Sequence, residues 1–286
     1  MKFFLGVNRT HDKMNTQTDG EIFICERPTE AQTDLMDKSY ETLTEIDKTA
    51  QLPRAVNLVR VFSGYAFLIC AVVLIRSIES KEDFILLFEK SPWLLVVVVA
   101  AGILFWGLTW AARKKAKTII ESDESKMLID RYDAAMQTAL SALGVPPTAK
   151  TVDCFCSCYK IKKSGKIKIL PMGAAQFSNV TLQAFTENGV LYIADPYQKY
   201  AVPLSEITAI KMINKRTTMN GWNKKTPFNK GEYKPFKIMR DNNDVYHLRQ
   251  YYAMEILHNG EVYLLYFPPY ELSVFTALTG LAAQEK

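Results

Sequence analysis

Two long apolar stretches dominate the pattern of hydrophobic and polar positions along this chain. They run from Ala55 to Ile75 and from Pro92 to Ala112, and each contains 21 residues. A helix needs about 20 residues to cross the hydrocarbon core of a bilayer. The pattern therefore predicts a transmembrane hairpin at 55–112, with spans at 55–75 and 92–112. A buried helical hairpin in a soluble protein is the alternative use of the same pattern.

The two stretches differ in how strongly they indicate a membrane. The second has no charged residue between Trp93 and Ala112, and its tryptophans lie near its ends, where indole rings favour the bilayer interface. The first contains Arg60. Because Arg60 lies near one end, its long side chain can carry the guanidinium out to the lipid headgroups.

The flanking charges predict the orientation of the hairpin. The connecting loop at 77–91 has two lysines and four acidic residues, whereas four cations follow the second span within Arg113–Lys117 and Arg54 precedes the first. Cytosolic loops of membrane proteins carry an excess of Lys and Arg. We therefore predict a multi-pass protein of the cell membrane with both termini in the cytosol.

Amphipathic helices are predicted on both sides of the hairpin, at 29–54 and 113–147, after a polar N-terminal segment at 1–28. Thr29 and Gln32 form a capping-box pattern at the start of the first helix. The apolar positions at helical spacing are Ala31, Leu35, Met36, Tyr40, Leu43, Ile46 and Ala50 in the first helix, and Ile120, Met127, Leu128, Tyr132, Ala135, Met136, Ala139, Leu140 and Leu143 in the second. We expect an antiparallel cytosolic stalk that buries both stripes, with an oligomeric coiled coil as the alternative.

Short β-strand patterns fill the C-terminal domain at 148–286. Two-residue turn signals separate three pairs of runs, at Ser164-Gly165, Asn188-Gly189 and Asn259-Gly260. Asn-Gly is the strongest such signal because both residues accept positive φ. Helical spacing at 269–281 predicts a final helix. The chain is therefore expected to be an α+β membrane protein whose C-terminal antiparallel sheet or small β-barrel is capped by a helix.

Three segments of this domain carry a family likeness: FTENGVLYI at Phe185–Ile193, YAVPLSEITAI at Tyr200–Ile210 and YLLYFPPYE at Tyr263–Glu271. Together with the closing helix they resemble the bacterial PH-like and GRAM-like domains, over about 151–281. The resemblance implies a split seven-stranded barrel with one C-terminal helix, tethered by a pair of spanning helices. It also implies a module that binds a lipid, a peptide or a partner protein. It assigns no functional residues to this chain.

Motifs of catalysis are absent from the sequence. There is no phosphate-binding glycine loop, no zinc-protease motif and no serine-hydrolase motif, and only three histidines. We therefore predict that the protein is not an enzyme and uses no cofactor. Cys154, Cys156 and Cys158 alternate along one predicted strand and can supply part of a zinc site, but they lack the usual C-x-x-C pair. We interpret them as small buried hydrophobic residues.

A basic segment from Lys211 to Arg240 is the strongest candidate for a binding surface. It holds nine Lys and Arg against a single acidic residue, Glu232. Its middle, 214–235, is predicted as a long loop because glycines and prolines interrupt it. The candidate lipid- or partner-binding residues are Lys215, Arg216, Trp222, Lys224, Lys225, Phe228, Lys230 and Lys234.

Several partners suit a basic loop that also carries aromatic residues. On an anionic leaflet, each cation near the surface contributes about 1 kcal/mol. The same residues can grip nucleic acid, with the aromatic rings for stacking, or contact a protein, or remain solvated. Tethering to a membrane favours anionic lipid headgroups over nucleic acid. A protein partner or a second copy of the chain remains an alternative partner.

The sequence thus predicts a membrane-anchored cytosolic binding module, whose PH-like domain presents a basic loop to anionic lipid or to a protein partner. The alternative is a structural subunit or scaffold of a larger membrane assembly. In that case the stalk, together with Gly102 and Gly107 of the second span, would make the essential contacts.

The predicted orientation can be tested with a membrane-impermeant thiol reagent. In intact cells, Cys25 and Cys154 should stay unlabelled, while a Ser80→Cys variant should be labelled, because only the loop at 77–91 is predicted to lie outside. Permeabilised cells provide the control for Cys25. Labelling of Cys25 without permeabilisation would reverse the predicted orientation.

Overall fold

Two structural units make up the computed structural model, which describes residues 1–10, 13–77, 92–220, 233–241 and 245–284. The helical unit is Asp34–Ala135. The second, which we name the β unit, combines Met1–Thr33 with Met136–Lys286. The β unit is therefore built from both ends of the chain.

Within the described residues, four long helices connect the two parts of the β unit. They are α1 (Glu30–Ala50), α2 (Arg54–Ser77), α3 (Pro92–Ile120) and α4 (Asp123–Ala142). The predicted capping box begins α1: the Thr29 N–H donates to Gln32 Oε1 at 2.9 Å, and the Gln32 N–H donates to Thr29 Oγ1 at 3.4 Å. These bonds satisfy two of the N–H groups that a helix start leaves without intrahelical partners.

Helices α2 and α3 are long and apolar enough to cross a membrane, over Arg54–Arg76 and Leu95–Ile120. Only 11% and 6% of the residues in their most apolar windows are buried. A core helix of a soluble protein is instead mostly buried, because its apolar surface must be removed from water. The exposure therefore disfavours the alternative of a soluble hairpin. The connecting loop lies outside the described residues from 78 to 91.

Reciprocal glycine contacts hold α2 against α3. A Cβ on Gly64 would lie 2.9 Å from the ring of Phe105, and a Cβ on Gly102 would lie 3.1 Å from the ring of Phe67. Small residues let two helices approach closely enough for such packing. At Gly107 a Cβ would meet no described atom within 4 Å. Of the two glycines singled out in the sequence, Gly102 packs inside the hairpin and Gly107 lies on an open side.

The apolar stripes of α1 and α4 are partly buried. Ala50 and Ala135 are buried, whereas Leu35 is 51% exposed. The rings of Tyr40 and Tyr132 lie 6.3 Å apart, so the two helices touch at this point. Pairing along the whole stalk remains a prediction, and so does an oligomeric coiled coil.

Sixteen strands form one connected sheet in the described part of the β unit. They are β1 (Lys2–Phe3), β2 (Gly6–Thr10), β3 (Lys13–Thr18), β4 (Ile24–Glu26), β5 (Lys150–Ile161), β6 (Ile167–Leu170), β7 (Phe177–Glu187), β8 (Val190–Asp195), β9 (Gln198–Pro203), β10 (Ile207–Ile213), β11 (Thr217–Asn220), β12 (Met239–Arg240), β13 (Val245–Leu248), β14 (Tyr251–His258), β15 (Glu261–Phe267) and β16 (Ala283–Gln284). Helix α5 (Leu272–Thr279) follows β15, within the helix predicted at 269–281.

The three hairpins predicted from turn signals are confirmed. Strands β5 and β6, β7 and β8, and β14 and β15 pair antiparallel across those turns. Asn188 and Gly189 have φ of 50° and 76°, and Asn259 and Gly260 have 49° and 79°. Positive φ at both central residues is what the tight hairpin turn requires.

The sheet is mainly antiparallel, and within the described residues it does not close into a barrel. Starting from β9, successive pairings run in the order β9-β8-β7-β5-β15-β14-β10, and β7 also pairs with β11, which leads to β13 and β12. Closure would require β9 to pair with β10. Instead β9 pairs with β4, and β10 pairs with β16, so a strand from elsewhere already occupies each edge. The predicted barrel is therefore replaced by an open sheet with covered edges.

The N-terminal segment differs most from its prediction as a separate polar stretch at 1–28. Strand β1 pairs with β15, β2 with β5, and β4 with β9. Phe4 is fully buried, with its ring centroid 5.3 Å from that of Phe23 and 5.0 Å from that of Tyr200. Lys199 forms an ion pair with Glu26 and also donates to the carbonyl of Leu143. Strands β1 and β4 are short and pair only with distant segments, so they leave no local periodicity to detect.

Strand β5 separates two apolar clusters. Cys154 and Cys156 pack in the larger cluster, whereas Phe155 packs in the other, against Phe177 with ring centroids 4.8 Å apart. Burial raises the pKa of the Cys156 thiol to about 11 and that of Cys154 well above its ordinary value. Metal binding requires thiolates, so burial opposes it. Among the described residues, no group of three or more His, Cys, Asp and Glu side chains is arranged to hold a metal ion.

A buried polar cluster ties α5 to the sheet. Asp153 is fully buried and accepts hydrogen bonds from Thr181 Oγ1 and Tyr270 Oη, each at 2.7 Å. Glu271, at the start of α5, accepts the Asp153 N–H at 3.2 Å. Burial and then the charge of Asp153 raise the pKa of Tyr270 well above its ordinary value, so this phenol stays protonated and donates. Buried carboxylates are tolerated when such donors satisfy them.

The docking of the N-terminal segment can be tested with Phe4→Ala. We expect it to lower the free energy of unfolding of the β unit by about 3–5 kcal/mol, because it removes a fully buried ring from the core. Thermal unfolding of the full-length chain in mild detergent, followed by near-ultraviolet circular dichroism, measures the effect. Ile22→Ala, at a side chain that is 54% exposed, is the matched control. Equal stability of the two variants would mean that residues 1–10 do not contribute to this core.

Candidate anion-binding site

The structure describes three of the eight residues predicted to bind lipid or a partner. Lys215 and Arg216 lie between β10 and β11, and Lys234 begins a short 3-10 helix at Lys234–Phe236. All three are exposed. The other five, Trp222, Lys224, Lys225, Phe228 and Lys230, lie outside the described residues.

Lys211, a cation of the basic segment, is neutralised within the protein. Lys211 Nζ lies 2.6 Å from Glu255 Oε2, and both side chains are largely covered. The two residues lie on the neighbouring strands β10 and β14. Counting charges along the sequence therefore overstates the number of cations in this segment that face a ligand.

A cavity of about 270 Å³ lies beside Arg216, and we name it the arginine cavity. Strands β11, β12 and β13 supply most of its wall. Its lining residues are Gln176, Arg216, Thr217, Thr218, Met239, His247, Leu248 and Arg249. The cavity combines two guanidinium groups with hydroxyl and amide groups, and none of its described lining residues is acidic.

The strand register brings the two arginines together. Thr217 pairs with Leu248 in the antiparallel pair of β11 and β13. Arg216 directly precedes Thr217 and Arg249 directly follows Leu248, so both lie at the same end of this strand pair. They are 33 positions apart in the sequence. No single-segment pattern therefore predicts their proximity, and the sequence analysis missed Arg249.

Hydrogen bonds fix the wall of the cavity behind the arginines. Thr217 is buried, and its Oγ1 donates to Gln176 Oε1 at 2.9 Å. The Gln176 N–H donates to Thr218 Oγ1 at 3.1 Å. These bonds join the segment before β7 to β11. The polar groups of the wall are thus held in place before any ligand binds.

The charge of the arginine cavity is positive. Within the described residues, neither Arg216 nor Arg249 forms an ion pair with a carboxylate, although both side chains are exposed. The lining residue His247 lies near an acid, since its Nε2 is 3.0 Å from Asp241 Oδ2. Guanidinium groups bind carboxylate and phosphate oxygens in a bidentate geometry. The arrangement therefore suits a small phosphate or carboxylate group.

A second basic surface, which the sequence analysis also missed, lies on the hairpin of β5 and β6. Lys160 pairs directly with Lys168, and the Lys162 N–H donates to the Lys166 carbonyl at 2.9 Å. Because strand side chains alternate, these four exposed lysines share one face of the hairpin. We name this the lysine face. The Ser-Gly turn and the alternation were visible in the sequence, so the signal was present.

Lysines directly opposite each other in a sheet repel, and this pairing is unfavourable without an anion nearby. Within the described residues, no carboxylate pairs with Lys160 or Lys168. Ile161, on the other face of the hairpin, is 51% exposed. The hairpin therefore presents a cationic face and an accessible apolar side chain.

Comparisons with protein-family models, with curated proteins and with solved structures find no match for this chain.

The arginine cavity leads to a direct binding prediction. An Arg216→Gln/Arg249→Gln variant should bind inorganic phosphate at least tenfold more weakly than the unmodified chain, because each charge-assisted hydrogen bond contributes about 1.5–3 kcal/mol. Phosphorus NMR of the full-length chain in detergent can follow the binding.

An Arg27→Gln/Arg131→Gln variant is the control for loss of charge. It removes two exposed arginines that do not line the cavity. If both double variants weaken phosphate binding equally, the cavity has no specific role and only net charge matters.

Proposed function

We propose that this protein is a membrane-anchored binding module, not an enzyme, whose β unit binds anionic lipid headgroups on the cytosolic side of the cell membrane. One observation carries the proposal. The β unit presents cations that lie next to each other and that have no carboxylate partner among the described residues, and the two chain segments of this unit are joined through α2 and α3. The lysine face and the arginine cavity are the described parts of this surface.

The origin of the β unit supports a two-span anchor. Strands β1, β2 and β4 come from before α2, and their partners β15, β5 and β9 come from after α3. Paired strands must lie in the same compartment. An even number of spans between them meets this requirement, and a single span does not. The cations that flank α2 and α3 favour the cytosol as this compartment, with both termini in it.

The sequence of strands supports a PH-like architecture for the β unit. Seven strands lie side by side in the order β9-β8-β7-β5-β15-β14-β10. Helix α5 follows β15, which is the last of these seven strands along the chain. Two features depart from the split barrel that the resemblance implies: the absence of closure within the described residues, and the additional strands β1–β4, β6, β11–β13 and β16. A fold of this kind hosts many partners, so the proposed ligand rests on the charges.

Anionic lipid suits these charges better than the other partners. Lysines act as strongly hydrated point charges, which suits a fluid surface of headgroups. The proposed contact residues are the basic segment predicted from the sequence, together with Arg249 and the lysine face. A protein partner would instead be favoured by a defined apolar patch, and the described exposed apolar residues of the lysine hairpin are limited to Ile161.

Hydrogen exchange of the full-length chain in lipid nanodiscs tests the proposal. Peptides from the hairpin of β5 and β6, and from 211–240, should exchange more slowly in nanodiscs with 30% phosphatidylglycerol than in pure phosphatidylcholine. Raising salt from 0.1 M to 1 M should remove the difference, because the Debye length falls from about 10 Å to about 3 Å.

Two matched triple variants show which surface makes the contact. Lys224→Ala/Lys225→Ala/Lys230→Ala changes the basic segment, and Lys160→Ala/Lys162→Ala/Lys168→Ala changes the lysine face. In each variant, the protection against exchange should fall most strongly in the peptides that contain the substitutions. We expect the free energy of membrane binding to weaken by about 1 kcal/mol for each removed charge at low salt. If exchange is the same in neutral and anionic nanodiscs, the lipid proposal fails. The structural-subunit alternative then gains support, with partners at the stalk and the open side of α3.

A further inference from the structure

A second cavity, of about 350 Å³, lies within the helical unit where the end of α1, the start of α2 and the last turns of α3 meet. We name it the interfacial groove. Its lining residues are Ala50, Gln51, Leu52, Asn57, Arg60, Ala112, Arg113 and Ala116. Two of these are arginines, two are amides and none is acidic. The groove is separate in sequence and in structural unit from the arginine cavity.

The groove has a fixed framework. Lys115 Nζ donates to the carbonyl of Gln51 at 2.8 Å, which joins α3 to the turn between α1 and α2. Ala50 is buried at the end of α1. The glycine contacts of Gly64 and Gly102 hold α2 and α3 together farther along the hairpin. The two arginines are therefore presented by packed helices and not by a loop.

Two side chains next to the groove indicate its depth in a bilayer. Lys114 Nζ lies 5.2 Å from the centre of the Trp110 ring, and this ring is 64% exposed. Indole rings and long cationic side chains both favour the headgroup region. Arg113 lies directly beside Lys114 in α3. Since Arg113 and Arg60 line the same groove, we expect both guanidinium groups to lie at the level of the lipid headgroups.

Arg60 has no acidic partner among the described residues. It is half-buried, and it lies in α2, which contains no acidic residue; α3 contains none either. Within the described residues, neither Arg60 nor Arg113 forms an ion pair with a carboxylate. A cation within a membrane-spanning helix is unfavourable unless it is paired or reaches water. A phosphodiester group has the charge and the oxygen geometry that a guanidinium group binds best.

We infer that the interfacial groove binds the phosphate of one phospholipid headgroup through Arg60 and Arg113, with the Asn57 amide as a further polar contact. The inference rests on the proposed membrane anchoring. It adds a single, defined lipid site to the diffuse basic surface of the β unit. Bound lipid neutralises Arg60 and joins α1, α2 and α3 at the cytosolic end of the hairpin.

Native mass spectrometry of the full-length, delipidated chain in nonionic detergent tests the inference. Titration with phosphatidylglycerol should give one lipid adduct that forms before all others. In an Arg60→Gln/Arg113→Gln variant, the concentration needed for this first adduct should rise at least tenfold. Lys114→Gln is the matched control, since it removes a cation at the same level that does not line the groove, and it should change this concentration less than twofold.

Two further arms identify the source of the phosphate and guard against misfolding. A tenfold molar excess of inorganic phosphate should leave the first adduct in place if the ligand is a lipid; displacement would overturn the lipid assignment. Arg113→Gln alone, at an exposed side chain, should still weaken the first adduct if the double variant misfolds. Equal titration curves for the Arg113→Gln variant and the unmodified chain would overturn the site.

A failure of this lipid site can be distinguished from a failure of the proposed function. The adduct titration uses substitutions in the helical unit only, whereas the nanodisc experiment uses substitutions in the β unit. Release of the chain from cell membranes by alkaline carbonate would refute the anchoring itself.

Discussion

Backbone pairing between strands from opposite ends of the chain is the constraint on which the rest of this structure depends. The N-terminal strands β1, β2 and β4 are held by partners that come more than one hundred residues later. The apolar hairpin of α2 and α3 lies between them in the sequence. Strand pairing thus requires the chain to return to the sheet after these helices, and two helices that are each long and apolar enough to cross a membrane are consistent with that requirement. The strand pairing of the sheet and the presence of two long apolar helices are therefore compatible with each other.

The distribution of ion pairs separates structural cations from available ones. Lys199 pairs with Glu26, and Lys211 pairs with Glu255, so these lysines neutralise carboxylates of the same fold. The arginines of the two cavities form no such pair within the described residues. Evenly distributed surface charge is usually solvated and contributes little to stability. Arginines brought together at a cavity are different, because their mutual repulsion is relieved when an anion binds.

Local signals predicted the elements of this fold well. Neighbouring residues determine the capping box of Thr29 and Gln32 and the two Asn-Gly hairpins, so the sequence alone predicted these features. The helices α2 and α3 were readable because their apolar composition is continuous. The N-terminal strands were not, since their stability comes from distant backbone partners and from burial of side chains such as Phe4. Edge pairing of β4 and β16, which replaces barrel closure, is equally non-local.

The candidate sites show the same division. Sequence by itself determined that cations are concentrated in 211–240 and beside the apolar hairpin, because composition and local charge need no fold. Only the tertiary structure decided which cations meet: Arg216 with Arg249 through the register of β11 and β13, and Arg60 with Arg113 through the packing of α2 and α3. It also decided that Glu255 neutralises Lys211. A binding site is a set of distances between groups that are far apart along the chain, and those distances are fixed by strand register and helix packing.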